Sequence, residues 1–307
     1  MALAIDSLVT EVEFSSASSD TGTISTTGAD RILLAFIHNE HATNLETVAS
    51  VTDTEGLTWF RRKKLSWTNI ADAGQENNME IWWAHAPLQI TGNIVTFTLT
   101  GTIDDATVAL VAVSGADVTF PWDAHDSTPK TELQVNAGPS LPDVEISTTA
   151  TNTMLLGFWG SSDNINMQQG AGFTELAWIT NNGGVYFSFN HTEYKIVSAV
   201  QTNAEVSAGA GAGSGTWGFI ADALVAAGEG ESEEVSDAAS DDPESASEEP
   251  EPQDPSDSAS DSDSDAFESA DDSDSEVVSE QQSELDSQSD FPDTPIPPVV
   301  CIVVSGN

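Results

Sequence analysis

The chain has 307 residues, with 51 Asp and Glu against seven Lys and Arg, a formal net charge of −44 and a single cysteine, Cys301. Such acidity leaves no basic footprint for nucleic acid or an anionic membrane surface outside one short run, and one cysteine excludes an internal disulfide or a Cys-based metal cluster. The acid is unevenly placed: residues 1–228 hold 25 acids and all seven cations, a net −18, whereas residues 229–290 hold 25 acids and no cation.

The opening MALAIDSLVTEV has neither a positive n-region nor a continuous apolar h-region, so no secretory signal peptide is expected there. No stretch reaches the roughly 18 apolar residues of a membrane helix, and membrane insertion is not expected. Short runs rich in Val, Ile, Thr, Phe and Trp then follow one another: TEVEFSS, RILLAFIH, LTWFRRKKL, MEIWWAHA, NIVTFTLTG, TVALVAVSG, TMLLGFWG, FTELAWIT, VYFSFNHTEYKIV and TWGFIADALVA. Their β-branched and aromatic content, with Ser, Thr, Gly, Asn or Asp between them, predicts strands, and no segment sustains a 3.6-residue apolar period. ITNNGGVYF predicts a hairpin that turns at residues 181–184.

The chain also repeats itself. ISTTGADRILLAF, from Ile24, aligns with ISTTATNTMLLGF, from Ile146, at an offset of 122, and Gly56-Leu57-Thr58 matches Gly172-Phe173-Thr174. Two similar halves, about 1–117 and 141–228, imply either one sandwich with pseudo-twofold symmetry or two sandwiches side by side. The buried character of the two closing runs favours the first. The connection VTFPWDAHDSTPKTELQVNAGPSLPD reads as a long crossover whose one strand-like piece is TELQV.

Four consecutive cations, Arg61, Arg62, Lys63 and Lys64, are the sharpest local feature. On an ideal strand Trp59, Arg61, Lys63, Leu65 and Trp67 share one face and Phe60, Arg62, Lys64 and Ser66 the other, so neither face is expected to be dry core there. The run is expected at an edge or a protruding hairpin. There it would block strand-to-strand aggregation or receive carboxylates from the chain's own tail or a neighbour. Trp82 and Trp83 must point to opposite faces of their strand; one is expected in the core and the other exposed, where it could stack on a sugar or a partner. At least six of the eight Trp are expected to fill core.

Metal and catalytic patterns are weak. His38-Asn39-Glu40-His41 is one residue short of an HxxEH arrangement, and its two His read as loop residues. Asp261, Asp263 and Asp265 open like a calcium loop, but Ala266 and Asp272 stand where Gly and Glu are needed. Asp53 with Glu55, and Asp163 with Asn164 and Asn166, read as turn formers. No catalytic residue, metal site or cofactor is expected, apart from weak diffuse divalent-cation binding along the acidic tail. Neither a GxSxG elbow nor a phosphate loop occurs, and the sequon Asn190-His191-Thr192 is read as chance.

Residues 229–290 contain 17 Ser and one aromatic ring, Phe267, too little apolar surface to offset chain entropy, so this tract is expected to be disordered and self-repelling. After Pro295, Pro297 and Pro298 comes an apolar run, with Val299, Val300, Ile302, Val303 and Val304 as candidate partner-binding residues. A 62-residue leash spans roughly 45 Å, so this tip in 291–307 can reach a neighbouring subunit and add a strand or fill a groove.

The order STTGADRILLAFI, SVTDTEGLTWFRR, MEIWWAHAPLQITGNIVTFTLTG, VALVAVSGAD, STTATNTMLLGFWG and GTWGFIADALV resembles a jelly-roll module of the concanavalin-like type, found in bacterial extracellular proteins and tailed-phage virion proteins. The resemblance covers roughly residues 1–228. It implies an all-β, jelly-roll-type two-sheet sandwich with pseudo-repeated halves, followed by a disordered acidic tail, and a structural or surface-binding role. The expectation is a non-enzymatic phage virion protein (head decoration, head fibre or tail-associated) made in the host cytoplasm, whose partners are other virion proteins and further copies of itself. The alternative is a carbohydrate-binding or adhesive module, released by a non-classical route, that meets host surface glycans through Trp82 or Trp83.

Overall fold

The computed structural model of the chain describes residues 2–7, 10–69, 74–138, 141–163, 168–181, 188–209 and 215–228. The acidic tract, the apolar tip with Val299 to Val304, and the turn expected at 182–184 lie outside the described residues. Among the described residues every regular element is a strand, and no helix is long and apolar enough to cross a membrane.

The first half contributes β1 (Ala4–Ile5), β2 (Thr10–Ser15), β3 (Ser19–Ile24), β4 (Arg31–His41), β5 (Val48–Asp53), β6 (Trp59–Asn69), β7 (Gln75–Ala86), β8 (Asn93–Leu99) and β9 (Asp105–Ser114). The second contributes β10 (Lys130–Gly138), β11 (Asp143–Ile146), β12 (Thr153–Ser161), β13 (Thr174–Asn181), β14 (Ser188–Val197), β15 (Ala204–Ser207) and β16 (Gly215–Val225). Each half builds one large antiparallel sheet, ordered β2-β9-β4-β7-β6 in the first and β10-β16-β12-β14-β13 in the second, with β1 beside β2 on the same edge of β9. Each also builds a small one, β3-β8-β5 and β11-β15. The strand β10 lies in the stretch expected to be a crossover; it pairs with β16 and is the counterpart of β2.

The duplication extends to register. Arg31 lies between Ser114 and Ala86, and its repeat mate Thr153 lies between Val225 and Val197. A bulge interrupts β6 between Arg61 and Lys63 and recurs at the same place in β13, between Glu175 and Ala177. The paired glycines Gly56 and Gly172 both take a positive φ, 72° and 78°, a backbone conformation that a side chain resists.

Three apolar layers hold the sheets together. One lies between β3-β8-β5 and the first large sheet, one between the two large sheets, and one between the second large sheet and β11-β15. The large sheets, one from each half, thus form a central sandwich. Phe36 and Phe158, 122 residues apart, meet edge-on across it at 5.4 Å between centroids. Each contact has its reciprocal: β13 lies on β2 and β9 as β6 lies on β10 and β16, the pattern of a twofold arrangement. Because both faces of the large sheets are covered, β4, β9, β12 and β16 are near-continuous apolar runs, whereas β8 in a small sheet alternates.

The sandwich breaks its symmetry at His38, whose repeat mate is Gly160. His38 is a fully buried residue of β4, not the loop residue expected from the sequence. It stacks on Trp67 with centroids 5.8 Å apart, and its ring nitrogens lie 2.9 Å from Ser188 Oγ and 3.3 Å from Asn77 Oδ1. Burial pushes its pKa down to about 4, so it is neutral in the fold. A Cβ on Gly160 would sit 2.8 Å from the His38 ring and 2.9 Å from Met79 Sδ; one on Gly218 would sit 2.6 Å from the Trp67 ring. Only four Trp fill core, Trp59, Trp67, Trp159 and Trp217, and the other four are half-buried.

Gly160→Ala is therefore expected to destabilise the body by about 1–3 kcal/mol, since a ring bonded at both nitrogens cannot step aside. Urea unfolding measures this; an unchanged midpoint would mean that the His38 ring yields freely.

Candidate functional site

The cationic run lies on β6, the edge strand of its sheet, with β7 as its one in-sheet neighbour among the described residues. The bulge makes Arg62 an extra residue and overturns the strict alternation expected there. Trp59 packs in the outer core, yet Leu65 and Trp67 pack in the central one. Arg61 extends one Nη to 3.5 Å from Glu80 Oε2 and lies 5.8 Å over the Trp82 ring. Arg62 turns into the central sandwich, where Nε and Nη2 donate to Asp222 Oδ2 and Oδ1 at 2.8 and 3.2 Å and Cζ lies 4.8 Å over Trp122. Asp222 is fully buried; burial pushes its carboxyl up and Arg62 opposes that.

The expectation that neither face could belong to the core therefore fails at Arg62, because a buried carboxylate on β16 supplies its counter-charge. Arg61 and Arg62 are taken by carboxylates of the body itself. Arg31 pairs with Asp6 at 2.7 Å, Lys130 donates to the Glu145 carbonyl at 2.9 Å, and Lys195 lies 5.6 Å over Phe173. Lys63 and Lys64, both half-buried, have no ion pair or hydrogen bond among the described residues.

Trp82 and Trp83 do point to opposite faces, but both are half-buried. Trp82 rests on the outer core and donates Nε1 to Glu80 Oε2 at 2.8 Å. Glu80 Oε1 in turn accepts the Val48 backbone N–H at 3.0 Å and Asn78 Nδ2 at 3.1 Å. Trp83 stands in a ridge, 5.2 Å from Phe60 and 6.5 Å from Trp122 between centroids. Phe60 is 50% exposed, and across the opening Leu133 of β10 is 40% exposed. The edge where β6 faces β10 thus carries aromatic surface beside Lys63.

Other candidates resolve into local structure. His41 Nδ1 accepts the N–H groups of Thr43 and Asn44. Asp53 accepts from Glu55 and Leu57 N–H and, at 2.6 Å, from Trp59 Nε1. Asp163 binds Thr216 through N–H and hydroxyl; Asn164 and Asn166 lie outside the described residues. Asn190 of the sequon is buried and donates to the Phe36 carbonyl at 2.9 Å. A cavity of about 350 Å³ opens elsewhere, lined by Arg31, Asp117, Val118 and Ala227 among others.

The sequence reasoning missed a polar cluster on the outer face of the second large sheet. Glu193 is buried, accepts the Gly170 N–H at 2.6 Å, and has its pKa pushed up to about 7 by burial against the pull of that bond. His191, held down to about 4 by burial, packs edge-on against Trp159 and Trp178 with Nε2 3.4 Å from Glu175 Oε2. The only signal for this group was alternation in FNHTEY, which places His191 and Glu193 on one face. No group of three or more metal-ligating side chains forms among the described residues.

Two expected outcomes follow from these ion pairs and buried acids. Arg62→Leu alone strands a buried carboxylate and is expected to cost about 3–5 kcal/mol, whereas Arg62→Leu with Asp222→Val is expected to recover most of that; equal losses in chemical denaturation would refute the pairing. Glu193 ionises near 4.5 unfolded and near 7 folded, so the folded state holds the extra proton and stability falls as pH rises between those values. Glu193→Gln cannot ionise, and relative to the parent it should gain on the order of 2 kcal/mol between pH 4.5 and pH 8. A pH-independent difference in urea melts would exclude that titration.

No protein-family model matches this chain, and neither a curated protein nor a solved structure matches it.

Proposed function

We propose that this chain is a non-enzymatic structural protein of a tailed-phage virion, a head decoration, head fibre or tail-associated component, displayed on the particle and held by its tail. One observation carries the reading. Buried carboxylates are spent on internal bonds, while the aromatic ridge, Leu133 and Lys63 are presented at an outer edge. Glu80 holds Val48 and Trp82, Asp222 holds Arg62, and Asp123 accepts from the N–H groups of His125, Thr149 and Ala150. That distribution has the chemistry of a contact surface rather than of a reaction centre. The acidic tract and apolar tip add a long leash with an adhesive end. The resemblance to jelly-roll virion modules supplies the setting. Deleting residues 291–307 is expected to leave the body folded and abolish its incorporation into particles; unchanged incorporation would overturn the tether.

The Phe60–Trp83–Trp122 ridge favours a second reading, a carbohydrate-binding or adhesive module, because sugar rings stack on such faces. A glycan array separates the two. Saturable binding lost in Trp83→Ala supports the second reading, and silence supports the first.

A further inference from the structure

The edge where β6 faces β10 leaves two kinds of chemistry unsatisfied. Phe60 and Leu133 expose apolar surface on either side of the half-buried Trp83 and Trp122, which calls for an apolar occupant. Lys63, on the same side of β6 as the core residues Leu65 and Trp67, is half-buried with no partner among the described residues, which calls for an acid beside it. The chain itself contains a segment of that character. Residues 299–304 are apolar and are preceded by Asp290, Asp293 and the acidic tract.

We propose that this edge is the docking site for the apolar tip, residues 299–304, of a second copy of the chain. The inference rests on the tether reading above and names what the tether grips. Six extended residues span about 20 Å, the same number that runs along β6 from Phe60 to Leu65. Their alternate side chains lie on the aromatic ridge and on Leu133, and the acids upstream lie near Lys63. The bulge at Arg61–Lys63 and the lysines oppose continuous strand addition to β6, so the tip rests in the opening between the two large sheets. A second copy is the occupant because the body, at −18, and the tract, at −25, repel each other. The tip is thus carried away from its own body, across roughly 45 Å of leash, to a neighbour's.

The full chain tests this by light scattering across a concentration series. The parent should self-associate, and Phe60→Asp, Leu133→Asp and deletion of 291–307 should each weaken association about tenfold or more. Near-UV circular dichroism of the two point variants confirms that they are folded. A parent that stays monomeric, or point variants that associate like it, would overturn the proposal. A thiol crosslink gives the geometry, with Cys301 as the sole native thiol and Thr131→Cys placed on the same face of β10 as Leu133. Reaction with a bismaleimide should join residue 131 of one chain to residue 301 of another. A 131–301 link confined to one chain, or a 301–301 link alone, would refute it. If these fail while deletion of 291–307 still prevents incorporation into particles, the tether reading survives without this docking site. If incorporation is tail-independent, that reading falls whatever the association data show.

Discussion

Two large sheets pressed face to face, one from each half of the chain, set the terms for everything else in this molecule. Each has a second apolar face covered by a small sheet, so neither can meet water on either side without exposing core. Polar groups inside the central layer must find partners there, and they find them across the halves. Asn190 donates to the Phe36 carbonyl, Asn181 to the Phe14 carbonyl, and Ser188 meets His38. These bonds fix how one half sits on the other, which apolar packing alone would leave free to slide.

The duplicated plan is broken where function could reside. At one corner of the central layer Arg62, the bulge residue, meets Asp222; at the equivalent corner Leu176 and Val111 occupy the same register positions and belong to the apolar core. A buried ion pair is no more stabilising than an apolar pair of similar volume. Its retention at one corner orients Arg62 over Trp122 and leaves the neighbouring ridge partly open. One edge of a nearly symmetric body thereby becomes chemically distinct from the other.

The outer faces follow a shared rule with different residues. In the first half Glu80 on β7 accepts the N–H of Val48 in the covering strand; in the second, Glu193 on β14 accepts the N–H of Gly170 in the covering segment. A Cβ on Gly170 would collide with the Ser207 carbonyl, so glycine is what lets that backbone come close enough to bond. Arg61 lies beside Glu80, whereas burial raises the Glu193 carboxyl toward neutrality.

By itself the sequence determined the all-β class, the ten strongest strands, the duplicated halves and the uneven charge. These depend on local chemistry: β-branched content, turn residues, a repeat offset of 122 and plain counting. It also placed Trp82 and Trp83 on opposite faces. Tertiary structure decided what no local pattern encodes. The bulge at Arg62 inverts the facing of every later residue in β6, and one inserted residue leaves no periodic trace in a run of like charges. The partners of the cations, Glu80 and Asp222, lie 19 and 160 positions away, so only folding could show that half of the run was already occupied. His38 became core because Gly160, its own repeat mate, vacates the space its ring fills, a complementarity that exists only once the halves have met.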